Sequence, residues 1–328
     1  MINKVEIDGV LHIYVRYLSL SKYGNNGFNS HRAIQAVKEN ITAILTDFVP
    51  DVIHAHKLGF GSSIGACLKK MFHCPLIVTT HGGDLLEPLK YERHQNLVKW
   101  CNSVDTLVSV SSMLKKKALA IGIKNKMQVI LNGHICADYV NWTRYKKYGV
   151  TILQVSSLIK QKNVNITIES FACICRKYQD AHLYIVGVGA EEENLRYLCK
   201  KLEIENKVTF TGQISNDEVL SLMNIADFFI MPSVEEGFGI VYIEAMSQRC
   251  LTIGSKGEGI EDFIRNGENG FLVSPNDYLE IFKIIDSCLE DRIDTMKIVE
   301  RGALEADSLT WNRNAEKYIE LFQSLVKK

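Results

Sequence analysis

Short runs of apolar and β-branched residues alternate with amphipathic helical segments along most of this chain. The second half is the most regular part. There Ile152–Val155 has the pattern of a strand, and the predicted helix Val164–Tyr178 follows it with an inward face of Ile166, Ile168, Phe171, Ile174 and Cys175. Parallel strands need helical crossovers, so this alternation is typical of parallel sheets with helices on both faces. The sequence therefore predicts an α/β chain made of doubly wound domains.

The same pattern gives bounds for the remaining elements. In the first half the predicted strands are Leu11–Val15, Val52–Ala55, Leu76–Thr79, Thr106–Val110 and Gln128–Ile130, and the predicted helices are His31–Thr46, Ser63–Phe72 and Ser112–Ile121. In the second half the further strands are His182–Val186, Lys207–Thr211, Phe228–Met231, Leu251–Gly254 and Gly270–Val273. The further helices there are Glu191–Leu202, Asp217–Ala226, Glu236–Ser247, Asp277–Asp286, Asp294–Ala306 and one from Trp311.

The length of 328 residues and the 46% hydrophobic content suit two sizeable cores. The stretch from Cys136 to Gly149 is polar, aromatic and aperiodic, which favours an interdomain linker. We therefore expect domains at residues 1–140 and 150–308. The last helix, residues 309–328, should pack back on the first domain through a stripe formed by Ala315, Tyr318, Ile319, Phe322 and Leu325.

Charge and cysteine content limit the class of protein and the cellular compartment that fit this chain. Lysine plus arginine and aspartate plus glutamate both number 38, a balance that argues against a general nucleic-acid binder. The nine scattered cysteines include no C-x-x-C pair, which favours buried thiols in a reduced compartment. No apolar run approaches the length of a membrane span, so a cytoplasmic protein is expected. A basic run at 115–117, continued by Lys124 and Lys126, is either a solvated face or a peripheral contact with the inner membrane face.

In the segment Glu235–Met246, the carboxylates Glu236 and Glu244 lie eight positions apart around a Gly-Phe-Gly turn. As one helix, this spacing would separate them by about 12 Å and rotate them by roughly 80°. Between them lie the unpaired N–H groups of a helix N-terminus, which suit phosphate. Such an order of groups fits sugar, phosphate and sugar, as in a nucleotide sugar. The alternative is a chance pair of helix-forming glutamates beside a glycine turn.

Lysine and glycine residues follow the first two predicted strands of the second half. Lys160 and Lys162 come directly after Ile152–Val155, where a lysine can reach a diphosphate beyond the carboxyl end of a parallel strand. Gly187 begins a Gly-Val-Gly turn after the next strand, which matches half of a dinucleotide-binding pattern. A solvated loop lysine and a purely structural turn are the alternatives.

Histidines mark the corresponding edge in the first half. His81 follows the strand Leu76–Thr79 and precedes two glycines, so it can lie close to a ligand and exchange a proton near neutral pH. A turn histidine without a role is the alternative. His54 and His56 lie two apart on a strand and share a face. Without an acidic partner they are better explained as packing and surface residues than as metal ligands.

Together these segments resemble the retaining, nucleotide-sugar-dependent glycosyltransferases of family 4, which have the two-domain GT-B architecture. The similarity extends from about residue 50 to the C-terminus. The sequence at Gly237–Met246 and Gly257–Asp262 looks most like that of the branch that builds capsular, teichuronic or exopolysaccharide chains in bacteria. The matching segments, in order, are Asp51–His56, Thr79–Asp84, Asn132-Gly133, Val155–Leu158 with Lys162, Ile185–Gly189, Val208–Gly212, Ala226-Asp227, Met231–Ser233, Glu236–Met246, Gly267–Val273 and Thr310-Trp311.

The resemblance implies a GT-B fold of two Rossmann-like doubly wound domains facing across a cleft, and it implies roles for individual residues. Glu236 would hold hydroxyls of the donor sugar, Glu244 the ribose diol, and His81 would lie beside the transferring sugar. Lys162 and the N–H groups of the turn would neutralise the diphosphate, and main-chain atoms of a second loop would line the base. The turn residues are Gly237, Phe238, Gly239 and Ile240, and the loop residues are Gly212, Gln213 and Ile214.

Two departures from the family pattern qualify these roles. Where the family usually has Gly-Arg before Leu158, this chain has Ser156-Ser157, so Ser157 offers only a neutral hydrogen bond and Lys160 would have to compensate. The family's first domain also opens with a strand, a Gly-rich loop and a helix before the segment that resembles Val10–Ser19. We therefore expect the first domain to be shortened by roughly 40 residues relative to a typical domain.

The resemblance implies transfer of a sugar, with retention, from a nucleotide diphosphate donor, most simply a UDP-sugar, to a glycan or lipid-linked acceptor in bacterial surface polysaccharide synthesis. No cofactor and no metal ligand are expected, since the nucleotide sugar is a substrate and the family is generally metal-independent. Two alternatives stay open. One is a phosphorylase or a nucleotide-sugar epimerase on the same fold, and the other is an inactive copy or subunit that binds nucleotide or a partner.

Overall fold

The computed structural model describes residues 2–15, 35–37, 39–40, 48–89, 94–136 and 149–326. Within these ranges the chain forms two compact units. The first comprises Met1–Ile130 with Lys317–Lys328, and the second Leu131–Glu316. Residues 35–37 and 39–40 of the predicted helix His31–Thr46 are helical, and the rest of that helix lies outside the described residues, as do positions 137–148 of the predicted linker.

The first unit contains a four-stranded parallel sheet in the order β3-β4-β5-β6 and a separate two-stranded antiparallel sheet, β1-β2. Every parallel strand predicted for this unit is confirmed within a few residues, and the helices α2 and α3 were missed. Its elements are β1 (Ile2–Ile7), β2 (Val10–Val15), β3 (Ile53–His56), α1 (Phe60–Phe72), β4 (Leu76–Thr80), α2 (Gly83–Leu89), α3 (His94–Cys101), β5 (Thr106–Ser109), α4 (Ser112–Ala120) and β6 (Met127–Val129).

The strand predicted at Leu11–Val15 is real, but it does not belong to the parallel sheet. Val10–Val15 pairs with Ile2–Ile7 as a hairpin. Its turn residues Asp8 and Gly9 have φ of 50° and 76°, the positive values that a two-residue hairpin turn requires. The Asp-Gly pair between apolar runs is the signal that could have revealed this hairpin from the sequence.

The second unit is a six-stranded, wholly parallel sheet in the order β12-β11-β10-β7-β8-β9. The inward face predicted for α5 is confirmed, because all five of its predicted residues are buried. The elements of this unit are β7 (Val150–Val155), α5 (Val164–Lys177), β8 (Ala181–Val186), α6 (Glu192–Lys201), β9 (Val208–Gly212), α7 (Asn216–Ile225), β10 (Phe228–Ile230), α8 (Ile240–Ser247), β11 (Leu251–Ser255), β12 (Phe271–Val273), α9 (Tyr278–Leu289) and α10 (Thr295–Asp307); 3₁₀ turns occupy Lys160–Lys162, Glu205–Lys207 and Gly259–Asp262.

A last helix, α11 (Trp311–Val326), has its residues from Lys317 onward in the first unit. There Leu321 is buried in a cluster with Ile77, Val108 and Ile130, and partly buried Tyr318, Phe322 and Leu325 pack against that cluster. The predicted stripe was wrong at two positions, since Ala315 and Ile319 are exposed. Leu321 takes their place because the buried stripe is rotated by part of a turn.

The helix predicted over Glu236–Ser247 begins later than expected. Its first residue is Ile240, and Gly239 before it has φ 81° and ψ 74°, a left-handed conformation that cannot continue an α-helix. Glu236 therefore lies in the loop that precedes α8. The helical distance and rotation predicted between Glu236 and Glu244 do not apply, although both residues still flank the start of the helix.

Candidate functional site

The loops that carry the predicted donor-site residues all follow strands of the second sheet at their carboxyl ends. Because β10, β7, β8 and β9 are neighbours in that order, the segments after them lie side by side along one edge. These segments hold the two lysines, the Gly187 turn, Gly212 and the Glu236 loop. This edge is where ligands bind in open parallel α/β sheets.

The loop after β7 is fixed against the loop after β10 by hydrogen bonds. The N–H of Val234 donates to the carbonyl of Gln161 at 2.7 Å, and the side-chain amide of Asn163 donates to the carbonyl of Pro232 at 2.9 Å. From beneath, the Gln154 amide donates to the carbonyl of Lys162 at 3.0 Å. The backbone of Lys162 is therefore positioned on three sides.

Lys162 and Glu236 form an ion pair at the centre of this edge. Both side chains are largely shielded, with 23% and 14% of their surface exposed, so the pair is less screened than one on the open surface. Lys160, two positions before Lys162 in the same 3₁₀ turn, is exposed. Of the two lysines that the sequence offered, the structure brings Lys162 to Glu236.

The backbone of Glu236 is held by a residue that the sequence interpretation did not use. The N–H of Glu236 donates to the Glu258 carboxylate at 2.8 Å, and the carbonyl of Glu236 accepts from the N–H of Gly259 at 3.1 Å. A Cβ on Gly259 would collide with the carbonyl of Gly237, so only glycine allows the two loops to approach this closely. No spacing rule points to this clamp, because its two halves are more than 20 residues apart.

The Gly-Phe-Gly turn presents a run of backbone N–H groups. Within the part of the chain that the structure describes, the N–H groups of residues 237–241 donate to no protein atom. Buried Phe238 anchors the turn, and the ring of Tyr242 packs so closely on Gly239 that a Cβ there would lie 2.6 Å from it. These donors stand at the positive end of α8, which makes the turn suited to an anion.

Gly187 and Gly212 are in direct contact at the ends of β8 and β9. The N–H of Gly187 donates to the carbonyl of Gly212 at 2.9 Å, and a Cβ on Gly187 would collide with the carbonyl of Ser156. Gly187 therefore has a structural reason to be glycine, whatever else it contacts. Ser157 and Gln213 are exposed at the same edge, and Ile214 is half-buried.

Glu244 lies on α8 and is half-buried. Burial raises the pKa of its carboxyl group, and the charge of a protonated His134 lowers that pKa. His134, which is buried, is thus close enough to act on Glu244, and the sequence interpretation did not assign it a role. Its position two residues after Asn132 gave no sign of this proximity.

His81 belongs to the first unit and is hydrogen-bonded to another histidine. Its Nε2 lies 2.9 Å from Nδ1 of His56, so one ring donates and the other accepts. The backbone N–H groups of His81 and Gly82 both donate to Asp84 at 3.0 Å, and the other Asp84 oxygen accepts from the N–H of Leu58 at 2.7 Å. His56 is exposed, which agrees with its interpretation as a surface residue, but the hydrogen bond to His81 was not anticipated.

His54 lies beside His56 and is the more buried of the two histidines. Its Nε2 lies 2.8 Å from the Thr79 hydroxyl, which is 2.9 Å from the hydroxyl of Tyr318, and its ring packs on Tyr318 and Phe322. Burial, together with the charges of His56 and His81, lowers the pKa of His54 to about 4. The interpretation of His54 as a packing residue agrees with these contacts.

Acid should destabilise the first unit through His54. Its pKa falls from 6.5 to about 4 on folding, so between these values the unfolded chain binds more protons, and stability is lost as pH falls from 6.5 towards 4. The full effect is about 3 kcal/mol. Hydrogen exchange of the strands β3 and β4 at pH 7 and pH 4.5 should show a smaller pH-dependent loss of protection in His54→Gln than in the parent. Equal losses in the two proteins would contradict this assignment.

Models of two known protein families match the sequence. A model described as glycosyl transferases group 1 matches residues 143–305, and one described as glycosyltransferase family 4 matches residues 4–136. An uncharacterised glycosyltransferase of Methanocaldococcus jannaschii is 29% identical over 242 residues, which are 72% of this chain and 66% of that protein. The N-acetyl-α-D-glucosaminyl L-malate synthase of Bacillus anthracis is 29% identical over 240 residues, 69% of this chain and 62% of that protein. The matches thus span somewhat less than two thirds of these relatives.

Among solved structures, Anabaena HepE in complex with UDP superposes with a TM-score of 0.77 at 22% sequence identity, covering 90% of this chain and 82% of HepE. With the two parallel sheets described above, this likeness establishes the GT-B fold of two Rossmann-like domains. No helix in the described ranges is both long enough and apolar enough to span a bilayer. The chain carries a glycosyltransferase family 4 domain at residues 4–136 and a glycosyl transferases group 1 domain at residues 143–305.

Proposed function

We propose that this glycosyltransferase chain moves a sugar from a UDP-sugar to a hydroxyl group of a glycan or lipid-linked acceptor, with retention of the anomeric configuration. The observation that carries the proposal is the Lys162–Glu236 pair beside the unpaired N–H groups of residues 237–241. A cation and several amide donors suit a diphosphate, and the adjacent carboxylate suits sugar hydroxyls. The UDP bound to HepE and the N-acetylglucosaminyl product of the Bacillus anthracis relative support a nucleotide-sugar donor.

The ammonium of Lys162 is neutralised by Glu236. A diphosphate would take over that ammonium, and the carboxylate of Glu236 would then be free to accept hydrogen bonds from the donor sugar. The ion pair therefore compensates the charges of both groups until the donor binds. Such preorganised charge lowers the cost of reorientation during the reaction.

The chemistry needs no group beyond these residues. The bond between the anomeric carbon and the leaving phosphate breaks, the acceptor oxygen bonds to the same face of that carbon, and the acceptor proton passes to the leaving phosphate. Lys162 and the turn amides stabilise the negative charge that develops on the diphosphate, which is the part a divalent ion plays elsewhere. Glu244 would bind the ribose hydroxyls, and Gly212, Gln213 and Ile214 would line the base.

His81 is proposed to contact the reacting sugars and exchange a proton there. Burial first, and then the charge of His56, lowers its pKa, so the ring is neutral at physiological pH and can both donate and accept.

A role in surface polysaccharide synthesis is part of the same proposal. The exposed Lys116, Leu119 and Lys124 would suit peripheral contact with an anionic membrane face.

The two lysines of the 3₁₀ turn provide a matched pair for testing the diphosphate assignment. Lys162→Ala should weaken UDP binding by about 10- to 100-fold, the effect of one charge-assisted hydrogen bond to a phosphate. Lys160→Ala removes the same charge from the same loop and should change the affinity much less. Calorimetric titration of UDP into both variants measures the difference. A larger loss in Lys160→Ala would assign the phosphate contact to Lys160 instead.

The proposal itself is tested by acceptor-dependent release of UDP. The full chain, treated with EDTA, should release UDP from one member of a panel of UDP-sugars when glycan or lipid-linked acceptors are supplied. NMR of the product should show that the donor's anomeric configuration is retained. Binding of UDP without release from any donor would favour the alternative of an inactive nucleotide-binding copy. Release that requires added manganese would contradict the metal-independent mechanism.

A further inference from the structure

Three side chains of the second unit bring nitrogen, sulfur and oxygen donors together at the C-terminal end of α10. They are His134, Cys136 and Asp307, and their nearest ligand atoms all lie within 4.8 Å of one another. His134 is buried, whereas Cys136 and Asp307 are exposed, so an ion can reach the group from solvent. It is the one such group of three potential ligands found in the ranges that the structure describes.

The distances suit a tetrahedral ion. The sulfur of Cys136 is 3.7 Å from Nε2 of His134 and 3.9 Å from Oδ1 of Asp307. Around zinc, a thiolate lies about 3.5–3.6 Å from a neighbouring nitrogen or oxygen ligand, given Zn–S of about 2.3 Å and Zn–N or Zn–O of about 2.0–2.2 Å. Each distance to the sulfur would therefore contract by a few tenths of an ångström, and the His134 nitrogen and the Asp307 oxygen, which lie within 4.8 Å of each other, would approach to about 3.4 Å. We propose that His134, Cys136 and Asp307 bind a zinc ion, with water as the fourth ligand.

The surroundings favour a cation at this position. Asp307 is the last residue of α10, and the carbonyl groups of Ala306 and Asp307 face His134 and Cys136 at 2.9 and 3.5 Å. The carbonyl end of a helix is its negative end. The Asp307 carboxylate is also oriented by the hydroxyl of Ser247, which donates to Oδ1 at 2.8 Å, as outer hydrogen bonds orient metal ligands.

Protons must move when zinc binds. Nε2 of His134 now donates to the carbonyl of Ala306, so the ring would carry its proton on Nδ1 once Nε2 binds the ion. The carbonyl of Ala306 would still accept from the N–H of Leu309 at 2.8 Å, whereas Nδ1 has no hydrogen-bond partner within the described residues, so its proton would need a water molecule as acceptor. The thiol of Cys136 would give its proton to solvent and bind as thiolate. Binding therefore releases one proton for each ion.

The proposed ion has a structural effect and takes no part in sugar transfer. It would link the segment after Gly133, which already pairs with Leu309 and Thr310, to the end of α10. No local sequence pattern indicates this group, because His134 and Cys136 are separated from Asp307 by more than 170 residues. An EDTA-treated chain that transfers sugar normally is compatible with this site.

Zinc binding is measured directly on the tag-free full chain after EDTA treatment and removal of the chelator. Titration against a chromophoric chelator should show one zinc per chain for the parent, and cobalt should give the near-ultraviolet charge-transfer band of a cobalt–thiolate bond. Cys136→Ser should abolish that band, and Asp307→Asn should weaken zinc binding by about tenfold or more. Cys173→Ser, which removes a partly exposed thiol on α5, is the matched control and should behave as the parent does.

Circular dichroism of Cys136→Ser and Asp307→Asn checks that these exposed substitutions leave the fold intact. Calorimetry in two buffers with different ionisation enthalpies should report release of about one proton with each zinc ion. A parent chain that binds no zinc, or a Cys136→Ser chain that binds it as the parent does, would overturn the proposal. In that case the three residues only satisfy the carbonyl groups at the end of α10.

Discussion

Glu236→Gln should lower kcat by about 10²- to 10³-fold and leave UDP affinity within about twofold of the parent. Glutamine keeps the size of the side chain but loses the charge that would strengthen hydrogen bonds to the donor sugar in the transition state. UDP has no sugar at that position, so it makes no hydrogen bond to this side chain. Loss of the partner frees Lys162 for the diphosphate, so the change in UDP affinity should be a small increase.

Initial rates at saturating donor, together with calorimetric titration of UDP, measure both quantities for this variant. Parental transfer by Glu236→Gln would remove Glu236 from the reaction. A large loss of UDP affinity with little change in kcat would instead mean that the residue acts only through the position of Lys162.

Glu244→Ala should have the opposite pattern, with UDP affinity falling by about 10²- to 10⁴-fold through loss of two charge-assisted hydrogen bonds to the ribose. Glu236→Gln is its matched control, because both changes remove one carboxylate that flanks the start of α8. Binding in the parent should also weaken in acid. Burial raises the pKa of Glu244, so the carboxylate that accepts the ribose hydroxyls is protonated at a higher pH than usual.

The Glu244→Ala chain is expected to fold. Because folding raises the pKa of this group, its ionised form opposes folding at neutral pH, and its removal should not lower the free energy of unfolding. Thermal unfolding of parent and variant checks this point. Equal UDP affinity in a folded Glu244→Ala chain would exclude the residue from the ribose site.

The sheets were predictable because their strands are long enough, apolar enough and regularly separated by helices. Every predicted strand of the second unit is found, and the buried face of α5 is the one that its periodicity indicated. The hairpin at the start was missed because Ile2–Ile7 mixes polar and apolar residues, and only the Asp8-Gly9 turn identifies it.

The site was predictable as a set of loops but not as a set of contacts. The sequence placed Lys162 and Glu236 each directly after a predicted strand, but not those strands side by side. Spacing alone did not choose between Lys160 and Lys162; only the family resemblance assigned the diphosphate to Lys162, and the structure brings that residue to Glu236. The sequence also placed Glu236 in a helix, because the left-handed conformation of Gly239 is a backbone property that helix propensity does not show.

Residues that support others were missed altogether. Glu258 fixes the backbone of Glu236, and His56 is hydrogen-bonded to His81, but neither partner is near in sequence. Pairs of this kind arise only when parallel strands bring distant loops to one edge. A single sequence has no local pattern that records them.

A crystal structure of the full chain with UDP would test the central claim most directly. The account predicts that the diphosphate lies against the N–H groups of residues 237–240, with an oxygen in hydrogen-bond contact with Lys162 and the ribose hydroxyls on Glu244. The ion pair between Lys162 and Glu236 should then be broken, with the Glu236 carboxylate free beside the terminal phosphate. UDP bound elsewhere, or bound with that ion pair intact, would contradict the account.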